Sequence, residues 1–154
     1  MATASERLSA LGLELPPVAK PVAAYIPAAS SNGWIMTSGQ LPTRAGTLVA
    51  TGKVGGELSP EQAVECARVA TLNAVAAAAA VAGGLDAITR IVKVTVFVAS
   101  APSFTGQPAV ANGASELLQD IFGEAGVHVR SAVGVAVLPL DAPVEVELTV
   151  EAAS

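Results

Sequence analysis

Charge is scarce in this chain. Only 14% of its 154 residues are Asp, Glu, Lys or Arg, while 52% are hydrophobic; ordinary soluble domains carry about 25% charge. A surface so poor in charge points to apolar area hidden in a subunit interface. Basic residues are scarcer still, with eight Lys and Arg against thirteen Asp and Glu, a net charge of -5 and no basic cluster. Nucleic-acid binding needs a basic stripe to neutralise phosphates, so neither RNA nor DNA is expected as a partner. Cysteine occurs once, as Cys66, which excludes an intrachain disulfide and fits a reducing compartment. Histidine also occurs once, as His128. HxxxH, CxxC and carboxylate clusters at ligand spacing are missing, so no metal site is expected. The Walker loop, GxGxxG and the G-x-S-x-G elbow are missing too, which removes the usual signatures of phosphate cradles, dinucleotide sites and serine nucleophiles. The most apolar stretch, "AVAAAAAVA" at 74–82, falls short of the roughly 20 residues a bilayer span takes. "MATASERLSALGLELPP" has no long apolar run, so neither a signal peptide nor an anchor is expected and the cytoplasm is the default location.

What is present reads as one domain, 1–154, with residues 1–20 as an N-terminal extension: a short amphipathic helix and a Pro-rich lead-in. "AAYIPAA" and "WIMTSGQ" read as strands joined by "SNG", because Asn-Gly tolerates the positive φ of a tight turn. Residues 41–59 are Gly-rich and irregular, with a short strand expected near 48–51. "SPEQ" starts a helix: Ser59 caps, Pro60 suits the first turn, Gln62 completes a capping box, and Gly83-Gly84 ends it. The β-branched run "ITRIVKVTVFVAS" (88–100) is a strand. Its alternation sets Val92, Val94, Val96 and Val98 on the face under a helix, and Ile91, Lys93, Thr95 and Phe97 on a mixed face suited to a subunit interface. A second helix covers 107–126, with Asn112-Gly113 marking a kink or a later start. Strands at 130–138 and 143–151 close the chain. Two helices on one face of a mixed sheet make an α+β fold.

The candidate chemistry lies in the polar minority. Arg130, Ala132, Gly134, Ala136 and Leu138 share one face by period-two alternation, so small residues leave space beside a permanent charge. On the final strand Val144, Val146, Leu148 and Val150 form the core face, and Glu145, Glu147, Thr149 and Glu151 the other. If these two strands form a hairpin, Arg130 and Glu145 lie on one face but about 20 Å apart. They then share a site only if the sheet pairs differently or a neighbouring subunit supplies one of them. Arg130 is either a rim arginine paired with a strand-face glutamate or a carboxylate clamp, for which its planar fork is suited. His128 is a polar strand-end residue or a participant in the site. Cys66 reads as an inert core thiol, and Tyr25 and Trp34 as packing residues. Ser38-Gly39 ends a strand where a ligand can approach the backbone, or simply turns.

In order, "WIMTSGQLP", the first helix from "AR" to Asn73, "IVKVTVFV" and "RSAVGVAVLPLDAPVEVE" resemble the Rid family, the YjgF-type reactive intermediate deaminases. The resemblance covers about residues 21–152 and is to a divergent subgroup with a longer loop at 43–59. It implies a fold like the Bacillus-type chorismate mutases, in which three subunits pack their sheets into a central barrel with ligand clefts between subunits. It implies hydrolysis of short-lived enamines and imines, such as 2-aminoacrylate, to 2-keto acids and ammonia, without metal or organic cofactor. Arg130 matches the arginine that holds the substrate carboxylate, and Glu145 the glutamate that positions water. Tyr25, Ser38 and Gly39 match residues lining the cleft. Ala132 stands where the archetype has a cysteine whose backbone contacts ligand, and Asn112 is the candidate for an asparagine on the second helix. Ala23-Ala24 replaces the usual Gly-Pro, and His128-Val129 the usual Pro-Ala, so the pocket flanks and substrate choice differ. The implied alternative is a non-catalytic, carboxylate-binding regulatory trimer. A ribonuclease or translation-inhibitor role, also a label in the family, conflicts with the acidity.

Overall fold

A computed structural model describes residues 1–21 and 23–153. Helix α1 (Ala4–Ala10) starts on a Thr3–Glu6 capping box. Strands β1 (Ala28–Ser31) and β2 (Trp34–Thr37) form a hairpin whose two turn residues, Asn32 and Gly33, sit at φ 53° and 83°. This is the left-handed backbone that Asn-Gly adopts at least cost. The strand expected from residue 23 starts only at Ala28, and Tyr25 precedes it on an exposed segment. In the loop the strand expected at 48–51 is instead a two-rung hairpin, β3 (Thr43–Arg44) with β4 (Thr47–Leu48). Asn73, buried on the next helix, donates to the carbonyls of Leu41 and Thr43 at 3.0 Å each and so pins that loop.

Helix α2 (Pro60–Ala82) forms as its caps dictate. Gln62 N–H donates to Ser59 Oγ (3.1 Å), Ser59 N–H donates to Gln62 Oε1 (2.9 Å), and Gly83 ends the helix at φ 91°. By length and composition α2 could cross a membrane, but 67% of its apolar window is buried within the domain. Its alanines let it lie close to the sheet and to α3 (Gln107–Phe122). Helix α3 shows no start or stop at Asn112-Gly113. Gly113 is buried, and a Cβ there would collide with the Val64 carbonyl of α2. The glycine serves close helix contact, which offsets its poor helix propensity. The helix stops at Phe122, and a 3-10 turn covers 123–126.

Strands β5 (Ile88–Ala99), β6 (Val129–Val135) and β7 (Val144–Ala152) complete a five-stranded mixed sheet in the order β1-β2-β7-β5-β6. β6 and β7 do not form a hairpin. β5 lies between them, parallel to β6 and antiparallel to β7. Helices α2 and α3 cover one face, making the α+β architecture anticipated from the sequence, and α1 packs on α3. Val94, Val96 and Val98 face the helices, as do Val144, Val146, Leu148 and Val150, all buried. The phase of β5 shifts in its first half, where the register with β7 slips between Ile91 and Lys93. Ile91 is therefore fully buried while Val92 is only half-buried, contrary to strict alternation.

Among the described residues no element of the chain covers the other sheet face. Rungs across it read Met36–Thr149–Lys93–Val129, then Glu147–Thr95–Ser131, then Glu145–Phe97–Val133. Trp34 (44% exposed), Met36 (55%), Val129 (65%) and Val133 (44%) lie open on it. Trp34 is thus not a core residue of this chain. Neither is β6 the buried strand its alternation suggests: no residue of it is buried, because it is an edge strand with its valines on the uncovered face.

Candidate functional site

Arg130 stands opposite Val94 of β5 and so points to the helix side of the sheet. There it meets α3. Nη1 donates to Asn112 Oδ1 (2.8 Å) and to Ser115 Oγ (3.1 Å), and Nη2 donates to the Pro108 carbonyl (3.2 Å). These acceptors are all neutral. Among the described residues the ion pairs are Arg44–Glu65 and Arg68–Glu65, so Arg130 is not the paired rim arginine that the sequence allowed. Its charge has no acidic partner among the described residues. Three of the five guanidinium donors are used, leaving Nε–H and one Nη2–H. These two nitrogens form the side edge of the plane, the geometry that takes a carboxylate bidentately. Ala132 and Gly134 follow Arg130 on the same side of β6, opposite Val96 and Val98, and the side chains of Gln107 and Ser100 lie over Gly134.

His128 and Ser115 lie behind this arginine. Ser115, buried on α3, is 2.8 Å from His128 Nε2, and His128 Nδ1 is 2.6 Å from the Gly126 carbonyl oxygen. Ser115 escaped the sequence reading because a helical serine carries no signal of its own. Its role appears only when α3, the 123–126 turn and β6 meet.

Glu145 belongs to a second cluster. It stands opposite Phe97, on the uncovered face. Arg130 and Glu145 are therefore on opposite faces of one sheet, not on the shared face that a hairpin would give. Two strand spacings and three rungs, from Val94 to Phe97, separate their backbones by about 14 Å. Glu145 packs over Gly39, where a Cβ would overlap its carboxylate. Gly39 is needed for space and not for unusual backbone. Partial burial raises the Glu145 pKa above its ordinary 4.5, and the neighbouring charge of Glu147 raises it further. Ser38 Oγ donates to the Ile26 carbonyl (2.6 Å) and Ser38 N–H to the Pro27 carbonyl (2.7 Å), tying the segment that bears Tyr25 to the same end of β2. The hydroxyl of Ser38 is thus engaged, and Tyr25 is exposed.

The predicted residues fall into two half-sites: Arg130, Asn112, Ala132 and His128 on the α3–β6 side, and Tyr25, Ser38, Gly39 and Glu145 on the β2–β7 side. Two grooves among the described residues, one lined by Arg7, Asp86 and Phe122 and one by Leu15, Ala76 and Leu85, include none of them. Among the described residues no three His, Cys, Asp or Glu side chains converge as metal ligands. Cys66 is buried, and burial followed by the charge of Glu65 pushes its thiol pKa up, which disfavours the reactive thiolate.

A family profile described as "YjgF/chorismate_mutase-like, putative endoribonuclease" matches residues 5–152. Protein TCP17 of Trypanosoma cruzi is 44% identical over 145 residues, spanning 94% of this chain and 91% of its own length. A solved structure of "a putative endoribonuclease" from Shewanella oneidensis is 37% identical with a TM-score of 0.94, covering 97% of this chain and 99% of that one. E. coli TdcF, solved with bound serine, is 25% identical with a TM-score of 0.64, covering 90% of this chain and 94% of its own.

Proposed function

Because this chain belongs to the YjgF/chorismate mutase-like family, we propose that it is a hydrolytic deaminase of reactive enamine and imine intermediates that carry a carboxylate. The observation that carries this reading is Arg130: a guanidinium held by three neutral acceptors, with no acidic partner among the described residues and with Nε–H and one Nη2–H not engaged by them. The bound serine of TdcF, itself a small carboxylate, supports the ligand class. The two half-sites are joined between copies of the chain in a homotrimer, with Arg130 of one subunit facing Glu145 of the next across a cleft. The scarcity of charge and the uncovered sheet face support that assembly.

The chemistry asks little of the protein. Arg130 orients the imino acid by its carboxylate. Glu145 holds a water and takes a proton from it as its oxygen adds to the imine carbon. The same carboxyl, its proton affinity raised by partial burial, returns that proton to nitrogen, then takes the proton of the new hydroxyl and passes it to nitrogen as well, so that the C–N bond breaks, C=O forms and ammonia leaves. One C=N and one water become one C=O and one ammonia. Positioning and modest acid–base help suffice for so easy a hydrolysis. The protein acts in the cytoplasm and needs no nucleic acid or membrane. An endoribonuclease role fits poorly with a net charge of -5, since RNA binding draws on cations.

The test uses 2-aminoacrylate, released in situ by a pyridoxal-phosphate-dependent serine dehydratase, with pyruvate formation followed in time. The protein accelerates the hydrolytic phase, and Arg130→Ala returns it to the rate in buffer. Carboxylate binding without acceleration by the wild type would instead establish the regulatory, non-catalytic reading.

A further inference from the structure

The family resemblance assigns nothing to Ser115, and it gives His128 only as a departure beside the pocket. We propose that these two residues are positioning residues for Arg130: a one-way hydrogen-bond relay, with His128 held as its Nδ1–H tautomer, fixes the guanidinium plane for the incoming carboxylate. The proposal rests on the reading of Arg130 as the carboxylate clamp.

With a neutral imidazole, donor and acceptor counting sets the direction of the relay. The Gly126 carbonyl can only accept, so His128 Nδ1, 2.6 Å away, carries the proton. Arg130 Nη1 can only donate, so Ser115 Oγ accepts from it at 3.1 Å. The serine proton is then free for His128 Nε2 at 2.8 Å, whose lone pair the Nδ1–H tautomer exposes. The bonds run Arg130 to Ser115 to His128 to Gly126, each donor meeting one acceptor. The far end is rigid. Gly126 is buried, and even a Cβ on it would run into the Leu118 carbonyl of α3. The turn carbonyl that accepts the last hydrogen bond is thus held against the same helix that supplies Ser115. Asn112 and Pro108 hold the other positions of the guanidinium. Without the relay, Nη1 keeps one partner, and the plane can swing away from the geometry in which Nε and Nη2 meet a carboxylate together.

A serine and a histidine that merely satisfy each other in a protein interior would show the same short contacts. The distinction lies in what Arg130 then does. The test compares wild type, His128→Leu, His128→Gln, Ser115→Ala and Arg130→Ala, each first checked for native circular dichroism. Long-range 15N–1H spectra of the wild type report the imidazole tautomer, and titration with pyruvate, the simplest 2-keto acid, reports carboxylate affinity. Nδ1–H is expected, with pyruvate affinity lowered about 5–10-fold in His128→Leu and Ser115→Ala. In His128→Gln, whose amide oxygen can accept from Ser115, affinity returns to within about twofold of wild type, since one net hydrogen bond is worth such factors. In the imine assay the Leu variant shows a raised KM with kcat nearly unchanged. An Nε2–H tautomer overturns the relay, and so does unaltered pyruvate affinity in His128→Leu when Arg130→Ala has lost binding. If pyruvate does not bind the wild type at all, the deaminase reading fails. The tautomer spectrum still decides the relay, together with the Arg130 Nε–H signal, which should shift in His128→Leu.

Discussion

Glu145 shows at the scale of one residue how a site works against its own fold. Burial raises its pKa above the ordinary 4.5. A carboxyl raised in this way contributes stability below its unfolded value, and that contribution is lost as pH rises through the native pKa. At neutral pH the charged wild-type side chain is therefore a liability that a neutral amide does not have. Glu145→Gln should melt at a higher temperature than wild type at pH 7.5, with the difference gone below about pH 4. Thermal unfolding at both pH values checks this, and the same variant should hydrolyse 2-aminoacrylate no faster than buffer. Equal melting temperatures at pH 7.5 would mean that the carboxylate carries no penalty. Arg130 was legible in the sequence as the one charge on its strand, whereas Glu145, one of three glutamates on β7, was singled out by the family resemblance. Their relation was not legible, because two faces and a third strand separate them.

At the scale of elements, the legible features were those whose causes are local. The Ser59–Gln62 box, the Asn32-Gly33 turn and the alternation of β7 each involve residues within a few positions of one another, so they could be read without knowing the fold. Gly113 could not. Its cause is the Val64 carbonyl of another helix. The slip near Ile91 was hidden because a run of β-branched residues makes an equally good strand in either phase. Gly113→Ala separates local from tertiary causes. Alanine favours an isolated helix by roughly 1 kcal/mol, but overpacking at the contact with α2 costs about 1–3 kcal/mol. Urea unfolding should give a lower midpoint than wild type. A higher one would mean that the helices move apart freely.

The whole molecule presents a sheet covered on one side only. The 14% charge pointed to apolar surface hidden between subunits, and apolar side chains lie open on this face. What composition could not show is where the cover is missing, and the rungs through Val129 and Val133 answer that. Val133→Glu places a charge on the β6 edge of this face, beside Phe97. Sedimentation should find wild type as a trimer and the variant as a monomer with native helix content. Imine hydrolysis should be lost in the variant, because its half-sites no longer meet. A fully active monomer would contradict a site shared between copies.

The strand order also governs when this protein can fold. Strand β5 takes both its partners, β6 and β7, from later in the chain, and β2 joins the rest of the sheet only through β7, the central strand. Until Val144–Ala152 leaves the ribosome, no strand joins the β1–β2 hairpin to β5 and β6, and helix α2 alone packs on both the hairpin and β5. These non-local pairings close late and slowly. In the meantime the valine-rich β5 emerges with both edges bare, which makes the last nine residues of the sheet the step that ends its exposure to chaperones and to aggregation.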